Sequence, residues 1–356
     1  MGKTPDYSQQ HDEMLRDKTH ELKKKLPSFL KRYFIAKSDL LPSTLFNYAT
    51  DLTVFFEWLK DYLVQYAETD TAALPIKVLT ELDSDDINTY IKEYLTKYER
   101  QGSTHRNDYN GKARKLASLK SMYKFFLADR MIENDPTAIV QLKARPDHEI
   151  VYLQPNEVAE LLDYLVCRLL LEKKKSRTDA WRKINRVRDL AIITMLLGTG
   201  MRVSECVGLD LTDIDFSDGA IHITRKGHRR DTVYMGEEIE ETLRDYLENA
   251  REKYQPPAEE NALFLSLRHK RINVRSVEIL LKKYVAAALP YRSGEKITPH
   301  KMRSTFGTTL YKETGDIKLV ADTLGHKNIA TTQKHYAATD TEIKRSAFRN
   351  VRLRDK

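Results

Sequence analysis

Apolar spacing changes its period once along this chain, and that change restricts the fold more than any other feature. Through the first 131 positions the apolar residues recur at helical intervals: Leu45, Tyr48, Leu52, Phe55, Phe56 and Leu59; then Ile87, Tyr90, Ile91, Tyr94 and Leu95; then Leu116, Leu119, Met122, Tyr123, Phe126 and Leu127. Residues three and four apart line one stripe of a helix, so this part reads as all helical. Pro42-Ser43 precedes the first run, with Ser43 as a candidate cap, and the polar stretch from Arg100 to Asn110 reads as a loop. Strict alternation comes only at 220–224 and 232–235, flanking the Lys226-Gly227 turn and following the hairpin signal Asp218-Gly219. The expected fold is mainly α with a small antiparallel β-sheet.

A chain of 356 residues is long enough for two domains, each with its own core. Asn134-Asp135-Pro136 ends the helix expected over 112–131, and 143–148, with Pro146, has the composition of an exposed linker. The boundary is placed there: a helical domain at 1–148 and a second domain at 149–356. In the second, Gln154-Pro155-Asn156-Glu157 opens a helix, and Val187 to Leu197 forms an apolar core helix that stops at Gly198 and Gly200. Arg202 falls just beyond it. Thr298 before Pro299 starts another helix, Asp316 caps one that ends at Gly325, and 328–336 can form a short mobile helix.

Charge and cysteine usage narrow the function classes. The apolar run Ala191 to Leu197 is far short of a membrane span, and residues 1–25 are charged, with no apolar core for a signal peptide. The chain is therefore expected in the cytoplasm, away from membranes. Cys167 and Cys206 form no CxxC, so neither a disulfide framework nor a thiolate metal site is indicated, and both are expected to be buried, reduced thiols. Net charge is +8, and 168–188 alone carries nine Lys or Arg against Glu172 and Asp179. With the positive face of Lys112, Lys115, Lys120 and Lys124, and with Arg225, Arg229 and Arg230 beside the turn, these segments point to contacts with nucleic-acid phosphates. Any one of them alone reads as a solvated face.

One series carries chemistry: Gly-Thr-Gly-Met-Arg-Val-Ser-Glu at 198–205, Lys226 on the hairpin, Thr-Pro-His-Lys-Met-Arg at 298–303, Leu-Gly-His at 324–326, and His335-Tyr336. A phosphodiester under attack gains charge on its non-bridging oxygens, which the guanidiniums of Arg202 and Arg303 can clamp. Tyr336 is the candidate nucleophile. Its phenol has an ordinary pKa of about 10, so it needs an acceptor for its proton, and His300 is placed for that role. Lys226, at a turn tip, can protonate the leaving 5′ oxygen; His326 can donate to the phosphate; Glu205, one helical turn from Arg202, can orient that guanidinium. Alone, a His-x-x-Arg pair reads as a surface pair, a late tyrosine as core or rim, and Lys226 and Glu205 as solvated charges. His326 and His335 lack an HExxH or a carboxylate cluster beside them, so no metal is expected, and no cofactor.

These motifs resemble the tyrosine recombinase (phage integrase) family, and within it the Xer branch that resolves chromosome dimers at dif sites during cell division. The resemblance extends to the N-terminal half, through Ser-Thr-Leu-Phe-Asn-Tyr-Ala-Thr-Asp-Leu from Ser43, and Arg114 to Leu127 followed by Asn134-Asp-Pro136. Length, extended N-terminus and basic insertion are most similar to the Xer form that serves as the sole recombinase of its host. The resemblance implies a core-binding domain and a catalytic domain forming a C-shaped clamp on double-stranded DNA. It further implies cleavage to a 3′-phosphotyrosyl intermediate, exchange through a Holliday junction, and a homotetramer on two sites. The C-terminal helix, with Ile343, Ala347, Phe348 and Val351, would pass to a neighbour, and a septal DNA translocase would be the activating partner. An integrase or transposase of a mobile element shares this chemistry. A type IB topoisomerase, or a non-catalytic DNA-binding protein on the same fold, is the remaining alternative.

Overall fold

The structure, a computed structural model, describes residues 7–143, 151–171, 177–292 and 294–326. The chain divides into two compact units, residues 1–147 and 148–356. In the first, α1 (Tyr7–Lys24), α2 (Leu30–Ala36), α3 (Pro42–Tyr62) and α4 (Ser84–Lys92) are followed by a hairpin of β1 (Tyr98–Arg100) and β2 (Ser103–His105), then by α5 (Tyr109–Ala128). The centre is α3, packed by α1 along one side and α5 along another. Phe55, Phe56, Tyr90, Tyr123 and Phe126 are fully buried around it. The apolar stripes read from the sequence form this core, except for Leu127, which is exposed at the end of α5; a helix whose stripe faces others on several sides removes most of its apolar surface from water.

Several local details differ from the sequence reading. α3 starts at Pro42, with Leu41 at the cap position and no side-chain cap bond, so Ser43 lies inside the first turn. The stretch 100–110 is no loop: β1 and β2 pair antiparallel, Arg100 opposite Ser103, across Gln101 and Gly102, both with positive φ. Such a turn matches strand twist and closes even a short polar hairpin. α5 begins three residues earlier than 112, where Asp108 accepts the Gly111 amide, and it stops at Ala128, short of Asn134.

The second unit contains α6 (Pro155–Leu171), α7 (Arg177–Thr199), α8 (Val203–Gly208), β3 (Ile214–Asp215), β4 (Ala220–Arg225), β5 (Arg229–Tyr234), α9 (Glu237–Asn249), α10 (Val274–Ala288), α11 (Pro299–Thr314) and α12 (Ile317–Leu324). Buried from Val187 to Leu197, α7 is touched by α6, α8, α9 and α11. The strands form one antiparallel sheet in the order β3-β4-β5, with Arg225 opposite Arg229 at the turn. The fold is thus mainly helical with small antiparallel sheets. Among the described residues no helix is long and apolar enough to cross a membrane. Cys206 is buried, but Cys167 is exposed, correcting the expectation of two buried thiols. Burial, and then the charge of Glu205, pushes the Cys206 thiol up to about 12.

Candidate active site

The turn after α7 depends on a glycine. Gly200 has φ +61°, and a Cβ there would lie 2.3 Å from Cδ1 of Phe306 on α11. Only a residue without a side chain lets the chain leave the buried helix so close to α11. Two residues on, Arg202 occupies the cap position of α8. Glu205 grips it twice: Oε2 accepts the Arg202 amide at 2.7 Å and Oε1 accepts Nη1 at 2.8 Å. The Glu205 side chain is 3% exposed and that of Arg202 is 39% exposed, so a buried carboxylate fixes a guanidinium that still reaches solvent.

Arg303, on α11, is 4% exposed. Its Nη1 donates to the Gly200 carbonyl at 2.7 Å, and its Nη2 to the Leu324 carbonyl. The same Leu324 carbonyl accepts Nη1 of Arg225 at 3.1 Å, while Nη2 of Arg225 donates to Thr323 at 2.7 Å. Nη1 of Arg225 also lies 3.9 Å from Oε1 of Glu205. The last carbonyls of a helix have no intrahelical partner and carry the negative end of its dipole, so two arginines meet there. Gly325, with φ +62°, ends α12, and its amide reaches the Asp322 carbonyl at 2.9 Å. A Cβ at 325 would come 2.8 Å from Nη1 of Arg225. Asp316 caps the other end of α12 through the Lys318 and Leu319 amides.

Four segments of the chemical series thus meet through hydrogen bonds: the Gly200–Glu205 turn, the β4 end bearing Lys226, α11 through Arg303, and the α12 end before His326. Lys226 lies exposed on the turn between β4 and β5, and His326 is half-buried, with its amide on the Ala321 carbonyl. His300, in the first turn of α11, is exposed, while Arg303, three residues further along the same helix, is buried. Thr298 stands at the α11 cap position before Pro299, without a side-chain cap bond. Tyr336, His335, the residues Ile343, Ala347, Phe348 and Val351, the linker at 144–148 and residues 172–176, with the basic Lys173, Lys174 and Lys175, lie outside the described residues.

Three of the basic residues assigned to phosphate contacts face inward: Lys115, Arg225 and, from the 168–188 segment, Arg188, which donates to Asp189 and to the Leu265 carbonyl. Lys115 is 6% exposed, donates to Asn107 Oδ1 at 3.1 Å and lies 3.6 Å from buried Asp51. It shares the face of Leu119, Met122 and Phe126, and that helical spacing could have shown it. Burial is the main cause of its lowered pKa, against the pull of Asp51. Arg225 is 5% exposed because it follows Ile221 and Ile223 on the buried face of β4. The two-residue period, read past Thr224, was the signal. Asp231 was missed altogether: its Oδ2 accepts Nε of Arg225 at 2.6 Å. Burial alone would raise the Asp231 pKa, but the Arg225 hydrogen bond, the Thr232 amide and the charges of Arg225 and Arg229 hold it below the ordinary value. Lys124, Arg229 and Arg230 are exposed, Lys120 is half-exposed, and Lys112 donates to the Lys92 carbonyl and Thr96 Oγ1.

The sequence pattern described as the phage integrase family matches residues 152–342. The chain belongs to the phage integrase family, and it is a site-specific tyrosine recombinase. It is 30% identical to tyrosine recombinase XerS of Streptococcus mutans, over 93% of this chain and 98% of that one. It is also 30% identical to tyrosine recombinase XerC of Caldanaerobacter subterraneus subsp. tengcongensis, over 91% and 86%. Its fold is similar to that of XerH recombinase in a post-cleavage complex with palindromic difH substrate, at a TM-score of 0.64 and 18% identity over 94% of this chain and 93% of that one. The Tn1549 transposon integrase with circular intermediate DNA is similar at a TM-score of 0.59 and 19% identity, over 93% and 98%.

Proposed function

We propose that this recombinase resolves chromosome dimers at a dif-like DNA site during cell division, in the cytoplasm, as a homotetramer across two sites and in response to a septal DNA translocase. Residues 1–148 form the core-binding domain and 149–356 the catalytic domain. The supporting likeness to Xer proteins runs along nearly the whole chain. The observation that carries the chemistry is the sharing of the Leu324 carbonyl by Arg225 and Arg303, which ties the segments of Arg202, Lys226 and His326 together.

In this reading the phenol oxygen of Tyr336 attacks phosphorus while its proton passes to His300. The phosphorus–O5′ bond breaks, and Lys226 supplies the proton that the leaving oxygen takes up. Arg202, oriented by Glu205, binds a non-bridging oxygen, and Arg303 exchanges the Leu324 carbonyl for another when DNA binds. His326 donates to the same phosphate. The 3′-phosphotyrosyl bond conserves the energy of the phosphodiester, so a 5′-hydroxyl from the partner duplex reverses each step and completes exchange through a Holliday junction without a nucleoside triphosphate. Lys112, Lys120, Lys124, Arg229 and Arg230 contact the DNA backbone.

Tyr336→Phe should bind site DNA with wild-type affinity and form no covalent adduct on a nicked suicide substrate; an adduct at the wild-type level would reject the nucleophile. Sequencing DNA trapped covalently on wild-type protein in cells tests the cellular role. One chromosomal site near the replication terminus supports dimer resolution, whereas the ends of a mobile element would mark the chain as that element's integrase.

A further inference from the structure

Arg225 was expected at the DNA surface, yet its guanidinium is spent inside the protein. Nε is held by Asp231 across the hairpin at 2.6 Å, Nη1 by the Leu324 carbonyl at 3.1 Å, and Nη2 by the Thr323 carbonyl at 2.7 Å. The side chain is 5% exposed, and Glu205, the carboxylate on Arg202, lies 3.9 Å away. A planar guanidinium bonded in three directions constrains the backbone it grows from more tightly than a lysine could. The next residue in the chain is Lys226, on an exposed turn with positive φ at Gly227 and His228 and little packing of its own.

We propose that Arg225 is a positioning residue: it pins the β4–β5 turn to the C-terminal end of α12, and so sets where Lys226 stands relative to Arg202, Arg303 and His326. Asp231 is part of the device, because it locks the guanidinium from the opposite strand. The assignment rests on the reading of Lys226 as the acid for the leaving oxygen, and it replaces a direct contact between Arg225 and DNA. The stem of Arg225 continues the buried row of Ile221 and Ile223, which fixes its direction before any polar bond forms.

Single-turnover cleavage of two suicide substrates tests it, one with the normal 5′ oxygen at the scissile phosphate and one with a bridging sulfur there. A thiolate leaves without needing a proton, so a fault confined to the acid disappears on the sulfur substrate. Arg225→Met should cleave the oxygen substrate about a hundredfold more slowly than wild type, the scale of a misplacement of about 1 Å, and the sulfur substrate within about threefold. Its affinity for site DNA should stay within about twofold, because no phosphate contact is lost. Equal losses on both substrates, or a weaker salt dependence of DNA binding, would overturn the proposal.

Asp231→Asn is the milder variant, since it keeps shape and leaves residues 225–228 unchanged. It should lower oxygen-substrate cleavage by about tenfold with recovery on sulfur, and speed cutting after Lys226 by a lysine-specific protease by about fivefold, as the turn opens more often. Unchanged proteolysis at Lys226 rejects the pinning. Lys226→Ala separates the two readings: if sulfur does not rescue it, the acid assignment falls, while the proteolysis still decides whether Arg225 and Asp231 hold the turn.

Discussion

Glu205 illustrates how much one buried carboxylate decides. Both of its oxygens are spent on Arg202, one on the backbone and one on the guanidinium, and its own side chain has almost no access to water. Charge, and not shape alone, makes that grip strong. Glu205→Gln keeps the volume and can keep one bond, so the fold should survive. Cleavage in a single turnover should fall by about tenfold to a hundredfold, because Arg202 loses its fixed direction, while binding of site DNA stays within about twofold. An unchanged cleavage rate would remove Glu205 from the site. Gly325 is decisive for a different reason. Its φ is +62°, and a methyl group there would meet the guanidinium of Arg225. Gly325→Ala should destabilise the second unit by about 2 kcal/mol through strain and displaced packing. Urea unfolding measures this, and a loss below about 0.5 kcal/mol would mean that the α12 end relaxes freely.

Secondary-structure elements differ in how openly the sequence displays them. The start of α11 at Thr298-Pro299 and both ends of α12, Asp316 and Gly325, could be read because each rests on the chemistry of a single residue acting on its neighbours. The β1–β2 hairpin could not, since Tyr98–Arg100 and Ser103–His105 are too short and polar to alternate. Lys115 and Arg225 were misplaced because residue type outweighed position: a long basic side chain suggests solvent, yet each sits in register with an apolar row. The carbonyls that hold Arg225 and Arg303 were invisible for another reason. Every residue offers a carbonyl, so nothing in a sequence says which ones a guanidinium will meet. The hairpin of β4 and β5 makes a prediction at this scale. Asp231 is held below its ordinary pKa of 3.8, so its ionised form stabilises the folded hairpin above that pH, and the contribution fades as pH falls below it. Asp231→Asn should therefore lower the urea midpoint at about pH 6 and approach wild type at about pH 3. A gap of equal size at both values would mean that the carboxylate charge has no part in the hairpin.

Across the whole molecule, a net charge of +8 is divided between cations that can meet a phosphate and cations already committed to the protein's own carboxylates and carbonyls. In the first unit, buried Asp51 accepts Nη1 of Arg114 at 2.7 Å and Oγ of Ser118 at 2.8 Å, with Lys115 beside it. Burial raises the Asp51 pKa, and Arg114 and Lys115 oppose that rise. Breaking such a cluster from one side leaves a charge stranded in the core. In the second unit Arg225 and Arg303 are similarly committed, whereas Arg229 and Arg230, although ion-paired with Asp231 at 3.6 Å and Asp213 at 3.2 Å, keep side chains that are 70% and 66% exposed and so open to a phosphate. Salt titration of DNA binding separates the two populations. Each lysine or arginine that neutralises a phosphate releases condensed counterions, so the slope of log K against log salt counts the contacts. Lys124→Ala and Arg229→Ala should each make that slope shallower by about 1 unit and weaken binding to all sequences alike. Lys115→Ala should leave the slope unchanged and instead cost about 3 kcal/mol of stability, because Asp51 loses a buried counter-charge. A slope altered by Lys115→Ala in protein that remains fully folded would place that lysine at the DNA after all. An unaltered slope for Arg229→Ala would take the exposed side of the hairpin out of the DNA interface.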